Sequence, residues 1–271
     1  MRLSVRHSTR YTYDEPVAHG LIRLRMRPKP THGQHVVEWT MNLDGARMET
    51  EFDDHHSTHV ALVSIVPGVP VLEITCSGIV ETADRSGIVG PHIGCMPLWA
   101  FARQTTITRP GPRMKALIAA CQPQHDDRLA MLHTLSQTTL AEAAYETGHT
   151  SVGTTAEEAL TAGRGVCQDH AHIFIGCARA LGVPARYVSG YLMMDDRIDQ
   201  EATHGWAEAH IDGLGWVGFD VSNGISPDAR YVRVATGFDY RDAAPVTGLS
   251  WGGGKAALAV TLAVEQQAAQ Q

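Results

Sequence analysis

The chain has 271 residues, 44% of them hydrophobic and 19% charged, which is typical of an ordered globular protein and not of a disordered one. It carries 22 Lys and Arg residues against 29 Asp and Glu residues, a net charge of −7, so we expect neither broad nucleic-acid binding nor attraction to anionic membranes. No apolar run approaches the roughly 18–20 residues of a membrane span, and residues 1–7 lack the apolar stretch of a signal peptide.

The five cysteines are odd in number and show no Cys-x-x-Cys spacing; they lie at positions 76, 95, 121, 167 and 177. This pattern disfavours a disulfide framework and a structural zinc ribbon. Together with the missing leader, it predicts a cytoplasmic protein with reduced thiols. Nothing in the pattern requires a metal or another cofactor.

Residues 1–85 contain short runs rich in β-branched side chains, which Gly and Pro residues separate. Basic side chains alternate with apolar ones there, as on the solvent face of strands. The spacing predicts an N-terminal antiparallel β-sandwich domain. Its strands are expected near residues 3–8, 21–26, 36–41 and 71–76.

A Gly- and Pro-rich passage over residues 87–112 is the predicted linker to a second domain, residues 86–271. Helices are expected near 113–121 and 126–145. A short third helix should follow Thr154 or Thr155, because either residue can cap it and acidic residues occupy its first turn.

From about residue 167 to 181 the pattern is again helical, with apolar side chains at helical spacing on the face of Cys167. Gly182 ends this helix, and Pro184 prevents its continuation. Strands are expected afterwards at about 185–193, 205–211, 216–221, 229–236 and 256–264. The succession of elements predicts an α+β protein.

Cys167 at a helix start lies where a thiolate is favoured, because the first-turn amides and the helix dipole stabilise an anion. Gly163 and Gly165 leave room for backbone to approach a substrate carbonyl. The backbone N–H of Cys167 is a candidate donor to an oxyanion. The alternative is that Cys167 is one more small, buried core residue.

His204 and Asp220 would complete a thiol-based nucleophile with Cys167. The turn signal at residues 212–215 joins two strand-like runs, so a hairpin should bring both residues to one end. A carboxylate there would fix the imidazole tautomer and orient its other nitrogen toward the thiolate. Taken singly, His204 could be a strand-end histidine facing water, and Asp220 a turn-forming carboxylate.

The register of this hairpin decides whether the two side chains can meet. A loop of two or four residues would place His204 and Asp220 on opposite faces of the sheet. A three-residue loop, or a bulge at a glycine such as Gly215, restores a common face. We therefore predict such an irregularity between the two strands.

Three motifs lie between Tyr145 and Tyr240: Gly-Arg-Gly-Val-Cys167-Gln-Asp-His-Ala-His, His204-Gly-Trp-Ala-Glu and Gly-Trp-Val-Gly-Phe-Asp220. They resemble those of the bacterial transglutaminase-like superfamily, which includes cysteine proteases. The resemblance implies a papain-like core, with the catalytic Cys at a helix N-terminus packed on an antiparallel sheet. It also implies Cys167 as nucleophile, His204 as base and then acid, and Asp220 as the orienting carboxylate.

The segment Tyr11-Thr-Tyr13-Asp-Glu-Pro16-Val resembles the N-terminal domain that often precedes this core. Two motifs depart from the family. Where relatives usually have His-Ala-Trp the chain has Gly205 after His204, and Asp-Pro-Thr-Asn is replaced by Asp220-Val-Ser-Asn223. His170 occupies a position that is often aromatic in relatives, and we expect it to face solvent.

Three competing sites are weaker. His55 and His59 have the spacing of a helical metal site, but the residues after them are typical of a strand. The Asp169, His170 and His172 side chains beside Cys167 do not converge on one ion at this spacing. The Gly residues before Lys255 lack the Ser or Thr of a phosphate-binding loop, since Ala256 follows.

These patterns predict cysteine-dependent acyl transfer on an amide or peptide bond through a thioester. Hydrolysis by a protease or amidase is favoured because water is always available and no acceptor site is evident. Amine transfer, as in a protein-glutamine transglutaminase, and a non-catalytic peptide-binding module of the same fold are the alternatives. The substrate partner is a peptide, protein or amide, and the N-terminal β-domain is a candidate for binding a protein partner.

Overall fold

The structure, a computed structural model, describes residues 1–121, 127–195, 197–200 and 202–267. The helices are α1 (Pro112–Cys121), α2 (Arg128–Glu142), α3 (Ala156–Ala162), α4 (Cys167–Ala180) and α5 (Tyr240–Ala243), with a 3₁₀ turn at Leu98–Ala102. The first strands are β1 (Arg2–Tyr13), β2 (Val17–Leu24), β3 (Gln34–Asp44), β4 (Ala46–Asp53), β5 (His59–Ile65), β6 (Val71–Thr82), β7 (Ile88–Gly90), β8 (Ala144–Tyr145) and β9 (Arg164–Gly165). The later strands are β10 (Ala185–Leu192), β11 (Asp199–Gln200), β12 (His204–Ile211), β13 (Gly215–Phe219), β14 (Tyr231–Gly237), β15 (Val246–Gly252) and β16 (Ala256–Gln266).

Side chains alternate between core and solvent along the N-terminal strands. In β1, Leu3 and Val5 are buried, while Arg2 and Arg6 are exposed. The strands form two antiparallel sheets, in the orders β11-β16-β1-β6-β3 and β15-β2-β5-β4. Apolar residues from both sheets share one buried cluster, so the sheets pack face to face as a sandwich.

The C-terminal strands return to this sandwich. β16 pairs with β1 along almost its whole length, and β15 pairs with β2. Residues 246–266, which the sequence assigned to the second domain, therefore complete the N-terminal sheets. The division at residue 85 stays a prediction. A strand pattern shows only which residues are extended and does not show which strand they pair with.

A third antiparallel sheet carries the middle of the chain, in the order β14-β10-β12-β13-β7. Its strand β7 comes from the Gly- and Pro-rich passage predicted as a linker, and Ile88 pairs with Val217 of β13. In the same passage Phe101 is buried, and its carbonyl accepts a hydrogen bond of 3.0 Å from Arg179 Nε. This passage is thus built into the core.

Helix α4 packs on that sheet through the apolar face that the sequence predicts. Phe174 stacks on Phe219 of β13 with ring centroids 4.8 Å apart, and Ala171 and Ala178 are buried. Gly182 adopts the left-handed conformation just past the helix, at φ +77°. The helix over residues 167–181 is therefore confirmed, and Cys167 is its first residue.

The structure also shows which of the two threonines caps the short helix α3. Thr155 is its cap: Glu158 N–H donates to Thr155 Oγ1 at 3.3 Å, and Thr155 N–H donates back to Glu158 Oε2 at 2.8 Å. Helix α2 begins at Arg128, capped by Asp127, whereas residue 126, where the prediction began, lies outside the described residues.

A buried carboxylate between two guanidinium groups joins three strands of the core sheet. Glu208 of β12 is 0% exposed, and its oxygens lie 2.6 Å from Arg186 Nε of β10 and 2.6 Å from Arg233 Nε of β14. Burial raises the pKa of Glu208, but the two arginines outweigh it and lower that pKa to about 2. The interaction therefore stabilises the fold above about pH 4.5 and is lost as the pH falls toward 2.

We expect Glu208→Gln to destabilise the protein by about 3–5 kcal/mol, because it leaves two buried guanidinium groups without a compensating charge. Urea unfolding at pH 7 measures this. The control is Glu81→Gln, which removes the exposed 3.1 Å pair with Arg2 and should change the free energy of unfolding by less than about 1 kcal/mol. Equal effects of the two variants would contradict the structural role of Glu208.

Candidate active site

The backbone before Cys167 is held in place on both sides. Strand β9 pairs in parallel with β8, so that Gly165 lies opposite Tyr145. Asp169 Oδ2 accepts hydrogen bonds from Val166 N at 2.8 Å and from Thr150 Oγ1 at 2.6 Å. A Cβ at Gly165 would come within 2.7 Å of Asp169 Cβ, so glycine is required there. Cys167 itself is partly exposed at the start of α4.

His204 links Cys167 to Asp220. Its Nε2 lies 2.6 Å from Asp220 Oδ2, and the Cys167 side chain is close enough to raise the pKa of the His204 ring. The His204 side chain is 10% exposed and that of Asp220 is 1% exposed. The structure therefore brings together the three residues that the sequence selected, in the order thiol, imidazole and carboxylate.

The hairpin of β12 and β13 has the irregular register that the sequence predicts. Ile211 pairs with Gly215 and Ala207 pairs with Phe219, so three residues form the loop. His204 and Asp220 therefore lie on the same face of the sheet. Gly215 follows the loop at φ +80°, and a Cβ at this position would overlap the Gly90 carbonyl oxygen of β7.

Asp220 is fixed by groups that the sequence did not indicate. Tyr231 donates its hydroxyl to Asp220 Oδ2 at 2.7 Å, and Asn223 Nδ2 donates to the same oxygen at 2.7 Å. Asp220 and Ile225 also exchange backbone hydrogen bonds of 2.8 and 3.2 Å. The position of Asn223 three residues after Asp220 is a turn signal that could have been used. Tyr231 gives no local signal, since it belongs to another strand.

The positive charge of His204 and the negative charge of Asp220 stabilise each other. Burial lowers the pKa of His204, but its hydrogen bonds to Asp220 and Cys167 and the charges of both outweigh burial and raise that pKa to about 10. Burial raises the pKa of Asp220, but His204, Tyr231 and Asn223 lower it overall. The His204 contribution to stability is complete below about pH 6.5 and is lost as the pH rises through about 10. The Asp220 contribution is present above pH 3.8 and is lost as the pH falls.

The expectation that His170 faces solvent is wrong, because this residue is 0% exposed. Its Nε2 donates to the Ala143 carbonyl at 2.9 Å, which leaves Nδ1 to accept from Ser222 Oγ at 2.9 Å. Burial lowers the pKa of His170, so the ring is neutral at pH 7. His170 therefore ties α4 to the loop after Asp220, whose sequence departs from the family pattern.

His172 is also buried on α4. Its Nε2 accepts from Tyr240 N at 3.1 Å, and burial, with Arg179 and Arg241, lowers its pKa to about 3.

Among the described residues no group of three or more His, Cys, Asp or Glu side chains has the arrangement of a metal site. In the same part of the chain, no helix has the length and apolar character needed to cross a membrane.

Three tyrosines lie near enough to Cys167 for its charge to affect their pKa values, and sequence reasoning missed all of them. Burial raises the pKa values of Tyr145, Tyr187 and Tyr240, and the charge of Cys167 raises each of them further. Tyr145 is 53% exposed and its ring lies 6.2 Å from that of His170. Tyr187 is almost fully buried, and Tyr240 packs edge-on against it.

Two family models match the chain. Residues 115–221 match the Transglutaminase-like superfamily, and residues 3–81 match the Bacterial transglutaminase-like N-terminal region. The first match contains Cys167, His204 and Asp220. The second covers most of the residues from β1 to β6.

Relatives of similar length occur in mycobacteria. An uncharacterized protein of Mycobacterium leprae (strain TN) is 28% identical over 281 residues, which cover 98% of this chain and 99% of the relative. An uncharacterized protein of Mycobacterium tuberculosis (strain ATCC 25618 / H37Rv) is 28% identical over 273 residues, covering 92% and 87%. The crystal structure of a putative cysteine protease from Cytophaga hutchinsonii has the same fold, with a TM-score of 0.76 and 20% identity over 100% of this chain and 92% of that one.

We expect the His204 imidazole to stay protonated at pH 8 and to titrate near pH 10, because Asp220 and Cys167 both stabilise its charge. NMR spectra of the protein with isotope-labelled histidine would show this directly. Cys167→Ala should lower the pKa of His204, since it removes one of the two partners. The buried His170 and His172 rings serve as internal controls and should remain neutral. A His204 pKa near 6.5 in the unmodified protein would contradict the hydrogen-bonded arrangement.

Two glycines of the same hairpin give a matched test of the register. Gly213→Ala and Gly215→Ala both place Ala at positive φ, but only at Gly215 does the new Cβ meet backbone. We expect Gly213→Ala to cost about 1 kcal/mol and Gly215→Ala at least about 1 kcal/mol more. Gly215→Ala should also slow alkylation of Cys167, because it displaces β13 and Asp220 with it. Thermal unfolding and thiol alkylation measure the two effects, and indistinguishable variants would overturn this account.

Proposed function

Because the chain carries a transglutaminase-like core behind a bacterial transglutaminase-like N-terminal region, we propose that it is a cysteine-dependent enzyme that cleaves an amide or peptide bond. One observation supports this most strongly. His204 bridges a partly exposed thiol at a helix N-terminus and a buried carboxylate, at 2.6 Å from the latter. This is the arrangement that activates a thiol nucleophile.

In the proposed acylation step, the Cys167 thiolate attacks the amide carbonyl carbon. The cationic His204 ring and the helix N-terminus stabilise the thiolate before attack. The oxyanion of the tetrahedral intermediate accepts a hydrogen bond from the backbone N–H of Cys167. His204 then donates its proton to the leaving nitrogen, the C–N bond breaks, and a thioester and a free amine result.

In the proposed deacylation step, neutral His204 removes a proton from a water molecule as it attacks the thioester. The C–S bond breaks, the carboxylic acid leaves, and His204 is protonated again beside the Cys167 thiolate. Asp220 keeps Nε2 of His204 occupied throughout, so that Nδ1 faces the sulfur and the substrate. Tyr231 and Asn223 hold the carboxylate in the orientation that this requires.

Two alternatives predict different products. An amine in place of water would give a new amide, which is the transglutaminase outcome. A non-catalytic module would bind peptide without forming a thioester. We propose hydrolysis because water is always available, and because a module that only binds has no need of a bridged thiol, imidazole and carboxylate. A partner for the N-terminal region stays a prediction.

Alkylation by iodoacetamide at pH 7 tests the activated thiol. Cys167 should react faster than the exposed Cys95, although Cys167 is less accessible. His204→Ala should slow the reaction of Cys167 by about tenfold or more, because the imidazolium no longer stabilises the thiolate. Cys95 in the same molecules is the control and should not change. Mass spectrometry of peptides separates the two sites, and equal rates at Cys167 and Cys95 would contradict the proposal.

The reaction products show whether the acyl group goes to water or to an amine. The protein is incubated with a peptide library, with and without an excess of a primary amine. Hydrolysis gives free carboxylates in both incubations, whereas transfer gives amides only with the amine. Cys167→Ala provides the blank. If the wild-type protein binds peptide but forms no product, the result would favour the binding module.

A further inference from the structure

Strand β15 forms one edge of the N-terminal sheet β15-β2-β5-β4. It pairs antiparallel with β2 along its length. Within the part of the chain that the structure describes, no strand pairs with its other side. Alternate N–H and C=O groups of β15 therefore point away from the sheet, as in any edge strand. Such an edge can bind a further strand.

The residues of β15 do nothing to block this pairing. The sequence of the strand, Val-Thr-Gly-Leu-Ser-Trp-Gly, has no charged side chain and no proline. Leu249 is 84% exposed and Trp251 is 79% exposed, and both lie on the outward face because they are two residues apart. Leu21 of β2 pairs with Leu249 and is itself 48% exposed. An apolar patch thus lies beside the open edge.

The opposite edge of the same sheet differs in each of these respects. Its strand β4 is exposed over most of its length, and its register with β5 shifts once along the pair. Its charged residues are Arg47, Glu49, Glu51 and Asp53. Charged side chains and bulges are the features by which proteins prevent pairing between sheet edges. The sequence therefore blocks one edge of this sheet and leaves the other free to pair.

The two ends of β15 carry charges of opposite sign. Near its start, Thr247 pairs with the exposed Arg23 of β2. The turn after its end lies against the exposed Asp14 and Glu15, whose negative charges exceed the positive charge of Lys255 in that turn. A second copy that pairs antiparallel brings its acidic end to the basic end of the first. An uncharged strand is also where two molecules of net charge −7 can approach with little repulsion.

We propose that β15 is a homodimer interface, in which two copies of the strand pair antiparallel about a two-fold axis at Leu249. Leu249 is the midpoint of the strand and lies opposite the same residue of the second copy. Trp251 lies opposite Thr247 of the second copy, on the same face. The two four-stranded sheets thereby join into one continuous sheet. This proposal does not depend on the chemistry at Cys167.

The association state of the full chain in solution tests the proposal. Analytical ultracentrifugation should show a dimer that dissociates on dilution. Leu249→Lys should weaken association at least about tenfold, because two lysines then face each other at the centre of the interface. Ile93→Lys is the matched control: Ile93 is 82% exposed but follows β7 of another sheet, so its replacement should not change association. Thermal unfolding verifies that both variants fold.

The charges at the ends of the strand give a second test. Arg23→Glu should weaken the dimer about two- to fivefold at low ionic strength, because it brings like charges together across the interface. Glu15→Arg added to this variant should restore the affinity, since the two ends are again of opposite sign. Failure of the second change to restore it would contradict the antiparallel arrangement.

A disulfide reports the register. The experiment uses a Cys95→Ala background, which removes an exposed native thiol. Leu249→Cys should cross-link the two copies under mild oxidation, because opposite Cα atoms in an antiparallel pair lie about 4.5–5.5 Å apart. Leu21→Cys, exposed on the neighbouring strand, should not cross-link. A dimer that Leu249→Lys leaves intact, or one without the disulfide at position 249, would overturn the proposal. A monomer at every concentration would also overturn it, and would leave the edge to a strand of a different protein.

Discussion

The register of the β12–β13 hairpin is the constraint on which the candidate site depends. Side chains in strands alternate between two faces, so a shift of one residue would move Asp220 away from His204. The three-residue loop and the close approach of Gly215 to β7 hold the register that brings His204 Nε2 to 2.6 Å from Asp220. The chemistry proposed for Cys167 thus depends on a loop at the far end of the hairpin.

Glycines at three positions allow backbone and side chains to approach where the site is built. Gly165 accommodates Asp169 before the thiol, Gly205 accommodates the Tyr187 hydroxyl beside the histidine, and Gly215 accommodates the Gly90 carbonyl in the hairpin. At each position, the absence of a Cβ leaves room for a contact that positions a neighbouring element. The departure from the family's His-Ala-Trp motif therefore has a physical reason in this chain: an alanine would not fit next to Tyr187.

The sequence predicts well what local patterns determine. The helix that begins at Cys167, its end near Gly182 and the irregular hairpin follow from helical spacing, from glycine and from the parity of strand positions. Contacts between distant segments leave no such pattern. The pairing of β16 with β1 and the bond from Tyr231 to Asp220 depend on which strands become neighbours. The burial of His170 leaves no such pattern either, because the loop that covers it lies 52 residues later in the sequence, at Ser222.

The N-terminal region also supports the candidate site through its contacts with β14. Gln34 Nε2 donates to the Arg233 carbonyl at 2.8 Å, and the Arg233 N–H donates to Gln34 Oε1 at 2.7 Å. Arg233 binds Glu208 in the strand that begins with His204, and Tyr231, two residues earlier in β14, holds Asp220. Both Tyr231 and Arg233 lie beyond the residues 115–221 that match the transglutaminase-like core. The hydrogen bonds that orient the proposed carboxylate thus extend outside the core motif. Because one strand connects them to Gln34, the N-terminal region contributes to the geometry of the candidate site.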